Sequence, residues 1–141
     1  MYRVLVPIDD DEGRARKQAS FVAGLPNAAE EVEAHLLFVF TKGAGSEDMP
    51  DELRRFDSAE RVASVRRAEE ILEDAGVDYH LLEDSGRVAN DILTDAENLD
   101  VDLIVLGGRK RSAASKVIFK SVTQDVLLNT DRPVTVTGGA D

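Results

Sequence analysis

Short apolar runs alternate along the chain with longer segments in which apolar residues recur every three or four positions. The short runs predict buried strands at 2–8, 32–40, 78–83, 103–106 and 133–137. The recurring pattern predicts helices over 14–25, 51–75, 88–98 and 117–129. The segment 41–50 is polar and contains two glycines, so it predicts a loop.

The order of these elements predicts the fold class. Strands that alternate with helices form βαβ units, which give a parallel sheet with right-handed crossovers and helices on both faces. The chain has no break in composition and no internal repeat, so we expect one domain over residues 1–141.

Two helices have apolar stripes that can be assigned to single residues. The first helix is expected to bury Ala15, Ala19, Val22 and Ala23, and Pro26 to close it. The long helix is expected to be ended by Gly76. Its predicted stripe consists of Leu53, Phe56, Ala63, Ala68, Ile71, Leu72 and Ala75.

Composition restricts the class of protein. Apolar residues make up 43% of the chain, as is usual for a globular protein, and no apolar run approaches the roughly 20 residues that span a bilayer. The apolar part of residues 1–7 is too short for a signal peptide, so we expect a cytoplasmic protein without membrane contact. The absence of cysteine excludes disulfides, thiolate metal sites and a cysteine nucleophile.

The charge is strongly acidic. There are 28 acidic and 17 basic residues, a net charge of -11, and few of the basic residues are lysines. Such a surface suits a concentrated-salt cytoplasm and predicts a halophilic archaeal origin; an ordinary acidic protein is the alternative. Because phosphate backbones attract basic surfaces, no nucleic-acid partner is expected.

Candidate chemistry is expected where two strands end. In an open parallel sheet, ligands bind beyond the carboxyl ends of the strands, where the strand order reverses. The first such end is 7–9, and the second is a predicted turn that starts at Gly107. Between Arg109 and Lys120 there are five basic residues and no acidic one, which favours an anion. The alternative is a tight turn whose basic residues pair with acids of the same surface.

Other candidate sites are weaker. His35 and His80 are far apart in sequence and lack metal-ligand spacing, so a structural role is expected. The acidic run 9–12 is interpreted as a solvated helix cap, with a magnesium site as the alternative. The chain contains no G-x-S-x-G, P-loop or G-x-G-x-x-G motif, which argues against a P-loop NTPase and a dinucleotide-dependent dehydrogenase.

Several segments together resemble the universal stress protein family. They are 2–9, Gly86 with Ile92, 102–107, 121–123 and 132–134, and their order and spacing match over essentially the whole chain. The match is weakest in the first helix and in the loop 41–50. The resemblance implies a Rossmann-like sheet, of the adenine nucleotide alpha hydrolase-like type, with strand order 3-2-1-4-5. It also implies a homodimer formed along the strand 133–137 and a role in stress tolerance.

The resemblance also implies a nucleotide site. Asp9 would lie near the ribose and base, with Pro7, Ile8 and Val39 along the adenine and Leu106 and Gly107 beside the sugar. The phosphates would be met by Ser121, Val122 and Thr123, with Arg109, Lys110 and Lys120 completing the predicted cofactor-binding residues. For Val39 and Leu106, plain core packing is the alternative.

One departure from the family pattern leaves two functions open. ATP-binding members carry G-x-x-G, nine residues, then G-[S/T]; here Gly107 is followed by Lys110 and Lys120 where the second and third glycines are expected. The first interpretation is a dimer that binds ATP or a related adenine nucleotide, with Mg²⁺, and signals through its occupancy. The second is a dimeric interaction module without nucleotide. A nucleotide-processing enzyme ranks last, because only Asp9 and Ser121 offer themselves as reactive groups.

Overall fold

The computed structural model describes residues 1–40, 62–109 and 121–140, which form five strands and five helices. The elements in chain order are β1 (Tyr2–Ile8), α1 (Glu12–Ala23), α2 (Ala28–Glu31), β2 (Val32–Val39), α3 (Ala63–Ala75), β3 (Asp78–Asp84), α4 (Val88–Leu99), β4 (Leu103–Arg109), α5 (Ser121–Asn129) and β5 (Val134–Ala140).

All five strands belong to one parallel sheet in the order β3-β2-β1-β4-β5. The predicted fold class and strand order are therefore confirmed. β1 lies at the centre of the sheet, and the chain adds strands first on one side of it and then on the other. This reversal puts the carboxyl ends of β1 and β4 next to each other.

Each face of the sheet is covered by its own apolar core, as expected for a sheet between two layers of helices. Alternate residues of β1, such as Val4 and Val6, pack with α1 and α3 on one face. Leu5 points to the other face and packs with α4 and α5. No helix within the described ranges is long and apolar enough to cross a membrane.

α1 begins two residues earlier than predicted because Asp11 caps it. The Asp11 carboxylate accepts a hydrogen bond from the backbone N–H of Arg14 at 2.8 Å, which satisfies a donor in the first turn. The helix ends before Gly24, ahead of Pro26, and Ala23 is only half-buried. The short helix α2, which follows Asn27, was not predicted.

The long predicted helix is described only from α3 onward, and residues 51–61 lie outside the described residues. In α3, Ala68 and Leu72 are buried as predicted, and Gly76 ends the helix with a φ of 74°. Ala63 is exposed, so its place in the apolar stripe was wrong. The next residue, Ser64, is fully buried instead and hydrogen-bonds to β1's end.

The predicted turn at Gly107 is also wrong, because β4 continues to Arg109 by pairing with β5. Gly108 makes this possible. A Cβ atom there would lie 2.5 Å from the Thr137 carbonyl oxygen, so only glycine allows the two backbones to approach this closely. β5 starts at Val134 and runs to Ala140, beyond the predicted end at residue 137. Of the predicted helix 117–129, residues 117–120 lie outside the described residues.

We predict that Gly108→Ala destabilises the protein by about 2–3 kcal/mol, because β5 must move away from β4 to accommodate the methyl group. Gly138→Ala is the matched control on the paired strand, since a Cβ there meets nothing within 4 Å. Urea unfolding of both variants measures the difference. Equal stability of the two variants would contradict the close approach of the strands.

Candidate functional site

The candidate site lies where β1 and β4 stop pairing. β1 pairs with β2 along seven residues, as far as Ile8 opposite Phe38. On its other side it pairs with β4 only at Val4 and Leu5. Both strands run on beyond these pairs, so their carboxyl ends leave a crevice at the switch point of the sheet, the usual ligand position in an open α/β fold.

Four predicted site residues share one side of this crevice. Leu106 is buried in the core under α4 and α5, and the half-buried Val39 packs against the same core. Strand alternation puts Pro7 on the same face as Leu5. Val122, from the first turn of α5, packs there as well. The result is an apolar wall at the carboxyl edge of the sheet.

Ile8 is separated from this wall. Its side chain is 4% exposed and packs in the opposite core, with α1 and α3. Of the three residues predicted to line the adenine (Pro7, Ile8 and Val39), only Ile8 has its side chain on that face.

Asp9 follows β1 and is held in one orientation by its neighbours. One carboxylate oxygen accepts a hydrogen bond from the Asp11 backbone N–H at 3.0 Å. The other accepts from Arg14 at 2.9 Å through Nε and pairs with its terminal nitrogen at 2.8 Å. The buried Ser64 donates to the Asp9 carbonyl oxygen. The Asp9 side chain is still 41% exposed, so a preorganised carboxylate lies at the rim of the crevice.

The Arg14 guanidinium balances the acidic run at the start of α1. Its side chain is only 11% exposed, and it lies between Asp9 at 2.8 Å and Asp11 at 3.6 Å. The helix-capping interpretation of the acidic run is confirmed by Asp11. Across the described parts of the chain, no group of three or more His, Asp or Glu side chains is arranged to hold a metal ion.

Gln18 closes the crevice from the α1 side and was missed by the sequence analysis. Its side-chain nitrogen donates to the Pro7 carbonyl oxygen at 2.6 Å and to the Val105 carbonyl oxygen at 3.0 Å. The residue is 1% exposed. One signal was available: Gln18 occupies the position between Ala15 and Val22 in the helix stripe where an apolar residue is expected.

Gly107 is required by contact with α1. A Cβ atom at this position would lie 3.0 Å from Gln18 Oε1 and 3.4 Å from Arg14 Cβ. Any larger residue would therefore push the two α1 side chains away from the strand ends. Gly107 is therefore needed for packing, whether or not it also contacts a ligand.

The predicted phosphate side is described only in part. α5 begins at Ser121, and Thr123 is buried. Arg109 ends β4. Lys110 and Lys120 lie outside the described residues.

Three carboxyl groups lie close together, that of Asp84 at the end of β3 and those of Asp91 and Asp95 in α4. Burial, followed by a hydrogen bond with Asp84 and the charges of Asp84 and Asp91, raises the pKa of Asp95 to about 7. Burial and the charge of Asp84 also raise the pKa of Asp91. Gly86 packs closely on Asp91, because a Cβ there would lie 3.0 Å from its carboxylate.

The two histidines meet in the middle of the neighbouring strands β2 and β3. His35 and His80 are register partners, and their rings stack with centroids 5.1 Å apart. Each ring places Nε2 3.3 Å from a different Glu33 carboxylate oxygen. Burial lowers the pKa of His35, opposed by its contact with Glu33. The cluster ties β2 to β3, in agreement with the expected structural role.

A doubly wound parallel sheet with a switch-point crevice defines a Rossmann-like α/β protein. The model of the universal stress protein family matches residues 1–138. The chain therefore belongs to the universal stress protein family, as the sequence resemblance implied.

Individual relatives agree with this assignment. A universal stress protein of Methanocaldococcus jannaschii is 30% identical over 99 residues, which cover 70% of this chain and 56% of the relative. The chain spans little more than half the length of the curated relatives it matches. The solved universal stress protein of Archaeoglobus fulgidus is 26% identical, with a TM-score of 0.74 over 98% of this chain and 99% of that one. A structure of the Archaeoglobus fulgidus universal stress protein in complex with dAMP is 24% identical, with a TM-score of 0.69 over 98% of both chains.

We predict that Asp95→Asn stabilises the protein at pH 8 by about 1–2 kcal/mol and has no effect near pH 3. Because the pKa of Asp95 is raised to about 7, the folded protein keeps a proton that the unfolded chain releases above about pH 4. The wild-type carboxyl therefore costs stability as the pH rises from about 4 to 7, and the full cost remains above pH 7.

Chemical unfolding of the variant and the wild type between pH 3 and pH 8 measures this difference. Asp74→Asn, at an exposed position of α3, removes the same charge and controls for the net charge of the protein. A stability gain that is the same at every pH, or that the control also shows, would contradict the raised pKa of Asp95.

Proposed function

We propose that this chain binds an adenine nucleotide, ATP or a related one with Mg²⁺, at the crevice between β1 and β4, and acts as a homodimeric stress-response signalling protein. One observation carries the proposal. The apolar wall of Pro7, Val39 and Leu106 lies at the switch point beside the fixed carboxylate of Asp9.

The chemistry of the crevice suits an adenosine. A flat, largely apolar base gains from burial against aliphatic side chains, and a carboxylate at the rim can accept hydrogen bonds from ribose hydroxyls. The basic segment 109–120 brings positive charge next to the start of α5, which favours phosphate. Structures of other universal stress proteins in complex with dAMP, cAMP and AMP support the choice of ligand class.

The interaction module without nucleotide is the second candidate, and Lys110 and Lys120 are the observation in its favour. A lysine where the family has glycine obstructs a close backbone approach, whereas its ammonium group can also bind a phosphate as a charged donor. These two effects have opposite signs, so the double substitution Lys110→Gly/Lys120→Gly separates them.

The two edges of the sheet differ in a way that supports dimer formation through β5. β3 carries Asp78, Glu83 and Asp84, charges that discourage pairing with another strand. The sequence of β5 contains no charged residue at all over Val134–Ala140. An uncharged seven-residue edge is a suitable surface for antiparallel pairing with the same strand of a second copy.

The acidic surface supports a salt-rich cytoplasm, and with it the halophilic archaeal origin. A net charge of -11 on 141 residues causes self-repulsion that concentrated salt screens. Binding and assembly are therefore best measured in molar KCl.

We predict that ATP with Mg²⁺, and AMP, bind the purified protein and raise its melting temperature by mass action. Asp9→Asn should weaken binding about tenfold, because the neutral amide loses the Arg14 ion pair and replaces one acceptor oxygen at the rim with an NH2 donor. Isothermal titration calorimetry in molar KCl measures both. Asp10→Asn, at the exposed neighbouring position, is the matched control and should bind as the wild type does.

The same titration distinguishes the candidate functions. No binding at millimolar nucleotide overturns the proposal in favour of the interaction module. Tighter binding by Lys110→Gly/Lys120→Gly identifies the lysines as obstructions, and weaker binding identifies them as phosphate ligands. Accumulation of ADP over time would instead identify an enzyme.

We predict that Thr135→Lys converts the proposed dimer to a monomer, because a charge within β5 opposes pairing with its symmetry-related copy. Asp78→Lys places the same residue on the other edge strand and should leave the dimer intact. Sedimentation velocity in molar KCl measures the mass of each variant. A dimer in both variants, or in neither, would contradict assembly through β5.

A further inference from the structure

We propose that Gln18 is a positioning residue for the crevice: by bridging the ends of β1 and β4, its side-chain amide sets the separation of Pro7 and Leu106, the two strand-end residues of the apolar wall against which the adenosine would lie. The consequence for binding rests on the proposed function. The cross-link itself does not, and it can be tested without a ligand.

β1 and β4 are joined at both ends by groups that are not part of their strand ladder. At the amino-terminal end, the Arg3 N–H donates to the Asp102 carboxylate at 2.9 Å, and the Asp102 N–H donates to the Arg3 carbonyl oxygen at 2.7 Å. Toward the carboxyl end, where the ladder has stopped after Leu5 and Ile104, Gln18 provides the connection.

The Gln18 connection is short and buried. One amide nitrogen uses its two hydrogens on two carbonyl oxygens, at 2.6 Å on Pro7 and 3.0 Å on Val105. The side chain is almost completely excluded from solvent. Without it, two backbone acceptors would lie buried between diverging strands, where water has little access.

Both bridged residues adjoin the candidate site. Pro7 forms part of the apolar wall and precedes Asp9 by two positions, and Val105 immediately precedes Leu106. Gly107 packs directly on the Gln18 carboxamide. A change in the length or hydrogen bonding of this bridge therefore shifts Pro7 and Leu106 of the apolar wall relative to each other.

Glutamine has the required length and donor group, and two near-isosteric variants separate these properties. Gln18→Met keeps the length of the side chain but cannot donate a hydrogen bond to either carbonyl oxygen. Gln18→Glu keeps the shape but brings a carboxylate, which only accepts, against two carbonyl oxygens. Protonation at low pH restores one O–H donor to the glutamate, so this variant should recover in part as the pH falls.

The first test is made without ligand, by comparing ¹H–¹⁵N spectra of the folded full chain. Gln18→Met should move the amide resonances of Ile8, Asp9, Leu106 and Gly107 and leave those of the amino-terminal ends of β1 and β4 in place. Asp102→Ala, which removes the other connection between the same strands, should give the reverse pattern. If Gln18→Met leaves the strand-end resonances where they are in the wild type, the proposal is wrong.

The second test is the affinity for AMP, measured by calorimetry in molar KCl. We expect Gln18→Met to bind AMP about tenfold more weakly than the wild type and Asp102→Ala to bind it normally. Gln18→Glu should bind weakly at pH 8 and more strongly at pH 5, relative to the wild type at each pH. Equal affinity of the wild type and all Gln18 variants would overturn the positioning role, whereas failure of the wild type itself to bind would overturn the proposed function and leave the spectral test to decide the cross-link.

Discussion

The main constraint at the centre of this fold is that two backbone carbonyl groups, those of Pro7 and Val105, need a hydrogen-bond donor. In a parallel sheet each strand pairs with its neighbours, but the reversal of strand order makes β1 and β4 part after Leu5 and Ile104. Acceptors buried at such a point need a donor from outside the sheet. α1, the helix that follows β1, packs on one face of the sheet, and Gln18 in its second turn donates to both carbonyl oxygens.

Other features of the crevice depend on the same placement of α1. Its capped start brings Arg14 onto Asp9, so a carboxylate that would otherwise be free to rotate is held at the rim. Its close contact with β4 excludes any side chain at position 107. The α1 side of the crevice is thereby filled by protein groups, and a ligand would have to lie against the opposite wall, formed by Leu106, Val39 and Pro7.

The strands and their burial could be predicted because strong apolar runs such as 4–6 and 103–106 leave little choice of structure. Element boundaries were less predictable. Asp11 starts α1 through a side-chain hydrogen bond, which the spacing of apolar residues does not reveal. Gly107 and Gly108 remain in a strand because β4 pairs with β5 as far as Arg109. Gln18 escaped notice for a related reason: a polar residue in an apolar stripe is informative only once the carbonyl groups opposite it are known. The resemblance supplied the strand order, which local patterns do not contain.

The packing of Gly107 against α1 makes the glycine motif a weaker guide to function. A glycine at this position matches the first glycine of the family's nucleotide loop, but Gln18 and Arg14 exclude a Cβ there even without a ligand. The match therefore argues for the fold more strongly than for phosphate binding. The contact with α1 explains only the glycine at position 107, and it gives no information about the lysines at positions 110 and 120. The apolar wall and the fixed Asp9 carboxylate do not depend on the lysines, so they are the part of the crevice on which the proposed adenosine binding rests.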